Sequence, residues 1–216
     1  MAEEPFPPDA IPFAIPAGAL RLTSWPVAQP LDRIHAAVFG AAQFNPGVGQ
    51  ARFSPLFNVD GTAVPTLYAG ESVAVALMET LLRDLPLRCA GYPVDCTRLE
   101  PLMHSRLLPH TPLALIDLNP RLLKRLGTTP AELLHCGASA YPLTQRWAGQ
   151  LYHACPQAQG ICWASRQHGG LAVMLFGDRL PAGALEPAAL SCPASRSAEL
   201  IMALEALADE MALVLC

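Results

Sequence analysis

The stretch Gln43-Phe44-Asn45-Pro46-Gly47-Val48-Gly49-Gln50-Ala51-Arg52-Phe53-Ser54-Pro55 is continued by Val64-Pro65-Thr66-Leu67-Tyr68-Ala69-Gly70 and by Ala76-Leu77-Met78-Glu79-Thr80. Residues 44–50 concentrate Asn, Pro and Gly, the residues that favour turns, and predict a loop. Asp60-Gly61 is a hairpin-turn signal. A strand is predicted through 64–68. Pro65 lacks the N–H that a ladder needs, so it marks an edge or the start of that strand. Ala74, Leu77, Met78, Leu81, Leu82 and Leu85 recur at i, i+3, i+4 spacing and predict a helix over 72–85, capped by Ser72 or by Glu71 beside it. The order is loop, strand, helix. Arg52 opens the apolar stretch after the loop, Tyr68 ends the strand, and Glu79 flanks the apolar stripe of the helix.

Outward from this stretch, Leu113–Leu118 reads as a short apolar strand, and Pro120 to about Leu126 as a helix stopped by Gly127. A helix is predicted over 144–154. Strands are predicted over 160–165 and 171–176, around the Gly169-Gly170 turn, and a last helix over about 197–213. Upstream, 31–39 reads as a short helix or an irregular segment. Residues 1–30 hold seven prolines and little periodicity and are expected to form an extended arm. Strands and helices alternate without a regular βαβ rhythm, and no internal repeat occurs. The expected class is a mixed α/β (α+β) fold in one domain over 31–216, which includes the final helix.

Composition narrows the function. The 216 residues suit a single domain, and 52% hydrophobic with 15% charged residues is far from the balance of a disordered chain. The net charge of −4 argues against direct nucleic-acid binding, which relies on a basic excess. The acidic, proline-rich start lacks the pattern of a signal peptide, and no uncharged apolar run approaches the roughly 20 residues that span a bilayer. Seven cysteines with no CxxC pair suggest free thiols in a reducing, cytoplasmic compartment rather than a disulfide framework.

The common chemical motifs are missing. His135-Cys136 and His153-Ala154-Cys155 do not have structural-zinc spacing. Gly137-Ala138-Ser139-Ala140-Tyr141 starts like a nucleophile elbow but lacks its second glycine. There is no phosphate loop, and Gly47-Val48-Gly49 lacks the third glycine and the leading strand of a dinucleotide fingerprint. What remains is polar residues within or at the ends of apolar stretches: Arg52, Tyr68, Glu79 and Ser165. Each also has an ordinary structural explanation. Arg52 can pair a carboxylate, Tyr68 can fill the core, Glu79 can be solvated, and Ser165 can cap a turn. Spacing alone does not bring them together.

Taken in order, the quoted stretches resemble the RES domain family, as do Leu115-Ile116-Asp117-Leu118, Tyr141-Pro142-Leu143-Thr144-Gln145-Arg146-Trp147-Ala148 and Gly160-Ile161-Cys162-Trp163-Ala164-Ser165-Arg166. The resemblance covers roughly residues 31–180. The family is named for an arginine, a glutamate and a serine, here Arg52, Glu79 and Ser165. It implies a fold resembling the ADP-ribosyltransferases and consumption of NAD⁺ as substrate, without a metal. The described outcomes are phosphorolysis, hydrolysis and ADP-ribosyl transfer. It also implies a bacterial toxin of a toxin–antitoxin pair, with an Xre-like antitoxin partner. On this resemblance the expected reaction is cleavage of the nicotinamide–ribose bond, with phosphorolysis to ADP-ribose-1″-phosphate favoured. A protein ADP-ribosyltransferase and a non-catalytic nucleotide-binding module are the alternatives.

The bond chemistry asks for little. The pyridinium leaves as a neutral molecule, so the reaction needs a cation for the pyrophosphate, an aromatic for the nicotinamide and a carboxylate beside an oxocarbenium-like ribose. The resemblance then assigns Arg52 to the phosphates, Tyr68 to the nicotinamide or ribose, Glu79 to the developing positive charge, and Ser165 to orienting Glu79 or the ribose. Glu71 reads as a charge at a helix N-terminus. A phosphate acceptor needs a further cation, for which Arg83 and Arg166 are the candidates. The final helix carries an apolar stripe (Leu200, Ile201, Leu204, Leu207, Ala208, Met211) expected to pack on its own domain, with a homodimer or antitoxin contact as the alternative.

Overall fold

The computed structural model describes Ile15 and residues 18–216, so most of the expected N-terminal arm lies outside the described residues. Along the chain the strands are β1 (Leu22–Trp25), β2 (Leu31–Ala36), β3 (Leu56–Phe57), β4 (Ala63–Val64), β5 (Thr66–Gly70), β6 (Pro93–Val94), β7 (Leu102–Pro109), β8 (Leu113–Asp117), β9 (Gly160–Ala164), β10 (Leu171–Phe176), β11 (Leu185–Pro187), β12 (Cys192–Pro193) and β13 (Val214–Leu215). The α-helices are α1 (Val73–Met78), α2 (Pro120–Arg125), α3 (Pro130–Leu133), α4 (Tyr141–Ala154) and α5 (Ala198–Glu210). The main sheet runs β1-β8-β9-β10-β5-β2-β7-β11, with β12 also on β7. Every pairing in it is antiparallel except β8 with β9. This is the expected mixed α/β class. No helix among the described residues is long and apolar enough to cross a membrane.

Alternation along the strands separates the two faces of the sheet. Leu67 and Ala69, Val173 and Leu175, Leu31, Leu107 and Leu115 point to one face, which is covered by the loop residues Ala41, Ala42 and Phe44 and by Leu180. The other face carries the helices and is divided in two. Ile116, Ile161, Trp163, Met174 and Phe176 pack under α2, α3 and α4. Ile34 packs with α1 and α5. Between these two cores, β5 and β2 pair at a single position, Asp32 with Gly70. The sheet is splayed at this seam, and a cleft opens above it.

Three expectations are corrected. Residues 31–39 are not a helix or an irregular segment: Leu31–Ala36 is a central strand. Its polar residues are buried and satisfied. Arg33 Nη1 donates to the carbonyls of Gly40, Ala41 and Gln43 at 3.2, 2.7 and 2.9 Å, and burial pulls its pKa down to about 10. The predicted 72–85 helix ends at Met78. Thr80 Oγ1 takes the Ala76 carbonyl at 2.6 Å, and the Leu82 N–H reaches back to Leu77 O at 2.9 Å, so the ladder opens and Glu79 becomes the C-cap. The single 64–68 strand is two short ones, with Pro65 between the β3–β4 hairpin and the main sheet. The hairpin turn at Asp60-Gly61 forms as predicted, with Gly61 at φ +82°.

Other elements follow their signals. Asn119 caps α2 through the N–H groups of Arg121 and Leu122 at 3.0 Å each, and Gly127 ends that segment at φ +77°. The α4 helix starts at Tyr141, three residues before the expected 144. The apolar stripe of α5 is spent inside the domain, where Leu200, Leu204 and Leu207 pack with α1. The segment expected as an arm contributes β1, the edge strand on β8.

Candidate active site

The cleft over the seam has a volume of about 200 Å3. Its floor is sheet: Asp32 and Ile34 from β2, Tyr68 from β5, Trp163 from β9 and Ala172 from β10. One wall holds Arg52 and Tyr141, and the other holds Ala76, Glu79, Thr80 and Arg83. Arg52, Tyr68 and Glu79, far apart in sequence, therefore line one cleft. Ser165 does not line it. It lies just past β9 at the turn into β10, two residues beyond Trp163 and on the same face of the sheet by strand alternation. Its N–H donates to Gly170 O at 2.8 Å. It is only 3% exposed, and its Oγ has no hydrogen-bond partner.

Arg52 is held from below by α4. Thr144 Oγ1 donates to the Arg52 carbonyl and, at 3.1 Å, to Tyr141 O. Gln145 Nε2 donates to Ala51 O at 3.0 Å and to Ser54 O at 2.8 Å, on either side of Arg52. The guanidinium itself donates from Nη1 to Cys136 O and Sγ, both at 3.1 Å, and lies 5.8 Å from the centre of the Tyr141 ring. Its charge reaches His135, whose pKa is lowered first by burial and then by Arg166 and Arg52. The two guanidinium charges thus add to burial in keeping His135 neutral.

Tyr68 presents its ring to the cleft while its hydroxyl is in structural use. The O–H donates to Ser54 Oγ at 3.2 Å and accepts from the Phe53 N–H at 3.1 Å. Burial is the largest cause of a pKa far above the usual tyrosine range, so the phenol is neutral at physiological pH. The ring meets Trp163 edge-on, with centroids 6.3 Å apart.

Glu79 stands at the end of α1, which crosses the sheet at very close range. A Cβ on Gly70 would lie 2.8 Å from Val75 Cβ and 2.9 Å from Ala76 N, and one on Gly170 would lie 2.8 Å from Val75 Cγ2. Only glycine at both positions lets the helix sit this low. Among the described residues, the Glu79 carboxylate makes no hydrogen bond or ion pair, so it is available to a ligand.

Sequence reasoning missed Asp32. This carboxylate is 2% exposed and accepts from His104 Nε2 at 3.0 Å, from Arg106 Nε at 3.0 Å and from Arg106 Nη2 at 3.2 Å. The network continues to α5: Arg106 also bonds Glu199, and His104 Nδ1 meets the capping Ser197 Oγ at 3.0 Å. A charged residue in a short segment reads as surface, and nothing local signals its partners 72 and 74 residues away. Thr144 and Gln145 lay within a motif already singled out, but their task appears only when Ala51–Ser54 is seen above them.

The RES domain family model matches residues 30–200. The chain belongs to the RES domain family. A solved structure similar to this RES domain is a chain of the crystal structure of the M. tuberculosis MbcT–MbcA toxin–antitoxin complex. It is 16% identical, with a TM-score of 0.58 over 87% of this chain and 91% of that one. At that identity the likeness is one of fold. No curated protein matches the sequence.

Proposed function

We propose that this RES domain consumes NAD⁺ by cleaving the nicotinamide–ribose bond, transferring the ADP-ribosyl group to inorganic phosphate. The reading rests on one observation: Arg52, Tyr68 and Glu79, from three separate elements, line the cleft of a RES domain. The cleft is smaller than the roughly 300–1,000 Å3 of pockets that enclose a whole ligand, which suits one end of a long ligand. The nicotinamide riboside end enters over Tyr68. With the phenol occupied by Ser54 and Phe53, the tyrosine contributes its ring, by stacking on the pyridinium. Arg52 binds the pyrophosphate, and its fixed guanidinium sets the depth of insertion. The unpaired Glu79 carboxylate accepts from a ribose hydroxyl and stabilises the oxocarbenium-like transition state. Departure of neutral nicotinamide requires no general acid. Ser165, whose Oγ is buried and unpartnered just past the end of β9, orients Glu79 or the ribose from beside the cleft.

The physiological role proposed is that of a toxin whose partner is an antitoxin, supported by the fold shared with a chain of a toxin–antitoxin complex. The purified protein should release nicotinamide from NAD⁺ and form ADP-ribose-1″-phosphate when phosphate is present, as read by mass spectrometry, and Glu79→Gln should lose the activity. ADP-ribose as product would replace phosphorolysis by hydrolysis. Label from adenine-tagged NAD⁺ on a protein would indicate transfer. Binding of NAD⁺ with no nicotinamide release by the wild-type protein would leave a binding module.

A further inference from the structure

Among the described residues, two buried side-chain polar atoms have no hydrogen-bond partner: Ser165 Oγ and Arg83 Nε. Native proteins rarely leave such groups unpaired, and each one calls for an explanation in strain, a catalytic role, or a bound water or ion. Arg83 lines the cleft on the Glu79 wall, across from Arg52. Its nearest ion pair is weak: Nη2 lies 3.5 Å from Asp84, whose side chain is 70% exposed. The other carboxylate at the floor, Asp32, is already engaged by Arg106 and His104. Arg83 therefore brings a weakly paired cation with an idle buried donor. Arg166, the other candidate from the sequence, is exposed, does not line the cleft, and acts on His135 together with Arg52.

We infer that Arg83 is a second anion subsite in the cleft, one that receives inorganic phosphate as the acceptor of the ADP-ribosyl group. The inference rests on the NAD⁺-cleaving reading above. An acceptor phosphate must approach a ribose already flanked by the Glu79 carboxylate and by the anionic pyrophosphate. Both repel it, and a separate cation on the Glu79 wall offsets that repulsion where Arg52, on the other wall, does not. In the step itself, a phosphate oxygen lone pair forms the bond to C1″. The C1″–N bond breaks with its electron pair passing to the pyridinium, which leaves as neutral nicotinamide. With hydrogen phosphate dianion as acceptor, no net proton is moved. Arg83 is the donor that holds the attacking phosphate, and its planar fork matches two phosphate oxygens.

The test varies phosphate and NAD⁺ separately in wild type, Arg83→Met and Arg83→Lys. Arg83→Met should raise KM for phosphate about ten- to a hundredfold, the range for loss of a charged hydrogen bond. KM for NAD⁺ should move by less than about twofold, and Arg83→Lys should recover part of the phosphate affinity. Thermal stabilisation by inorganic phosphate, measured without NAD⁺, should fall in Arg83→Met. Unchanged phosphate dependence overturns the assignment, as does an equal rise in KM for NAD⁺, which would place Arg83 on the dinucleotide. Phosphate stabilisation that survives Arg83→Met and vanishes in Arg52→Met overturns it too. If no variant releases nicotinamide, the NAD⁺ reading fails by itself, and the stabilisation data still decide whether Arg83 binds phosphate.

Discussion

Thr144 connects the helix α4 to the binding of the dinucleotide. The residue is fully buried, and its hydroxyl donates to the carbonyl of Arg52. In Thr144→Val a methyl of nearly the same shape replaces the hydroxyl, and the Arg52 carbonyl loses its donor. A buried carbonyl left unpaired costs about 1–3 kcal/mol, so we expect a loss near 2 kcal/mol. For a domain of 216 residues this lowers the melting temperature by about 4–8 °C. If the whole loss falls on ordering the Ala51–Ser54 segment, the binding-competent fraction drops by at most about 30-fold, and KM for NAD⁺ rises by up to that factor. Thr144→Ser is the matched control. It keeps the donor and sheds one buried methyl, worth about 0.8 kcal/mol, and should leave KM within about twofold of wild type. The assays are urea denaturation and the NAD⁺ dependence of nicotinamide release. Equal rises in KM for the two variants would refute the reasoning. So would a destabilised Thr144→Val whose KM is unchanged, since Arg52 would then be held without the hydroxyl.

Further outcomes follow from the same contacts. Gly70→Ala places a Cβ 2.8 Å from Val75 and 2.9 Å from the Ala76 nitrogen, so α1 must lift. We expect a loss of about 1–3 kcal/mol in urea denaturation, and a loss under about 0.5 kcal/mol would show that the helix is not seated by that glycine. Asp32→Ala removes the acceptor shared by His104 and Arg106. With Arg106 a third exposed and screened, the expected loss is about 2 kcal/mol, and a neutral result would mean that the network adds nothing to stability. His35 is buried with its pKa lowered, chiefly by desolvation and then by Arg33. The unfolded chain therefore binds a proton more readily than the folded one. The His35 contribution is present above the unfolded pKa and is lost as pH falls through and below about 6.5. Denaturation curves at about pH 7.5 and about pH 5.5 should show this loss, and it should shrink in His35→Asn. An identical slope in that variant would remove His35 as the cause.

Legibility followed the range of the forces involved. The apolar strands 113–117, 160–164 and 171–176 were readable because their signal is composition within a few residues, bounded by turn formers. The helix α2 was readable because Asn119, Pro120 and Gly127 act on the adjacent backbone. The strand β2 was not readable. Leu-Asp-Arg-Ile-His-Ala looks like surface, and its charges are tolerated inside only because Arg106, His104, Ser105 and the 40–43 carbonyls meet them from elsewhere. The length of α1 also escaped. The apolar stripe continues to Leu85, but a local competition between Thr80 and the helical ladder stops the helix at Met78.

The amino-acid sequence by itself determined the mixed class, most of the element types, and the residue kinds on which the proposed chemistry rests: Arg52, Tyr68, Glu79 and Ser165. These depend on periodicity, turn chemistry and motif order, all of which are local along the chain. Only the tertiary structure decided that β5 and β2 pair at Asp32 and Gly70 alone, that Arg52, Tyr68 and Glu79 share the cleft over this seam, and that Ser165 lies beyond its lining. It also decided that Arg83 enters the cleft while Arg166 stays outside. Side chains tens of residues apart meet only when the sheet is assembled, and no short-range pattern encodes the pairing of strands that lie far apart along the chain.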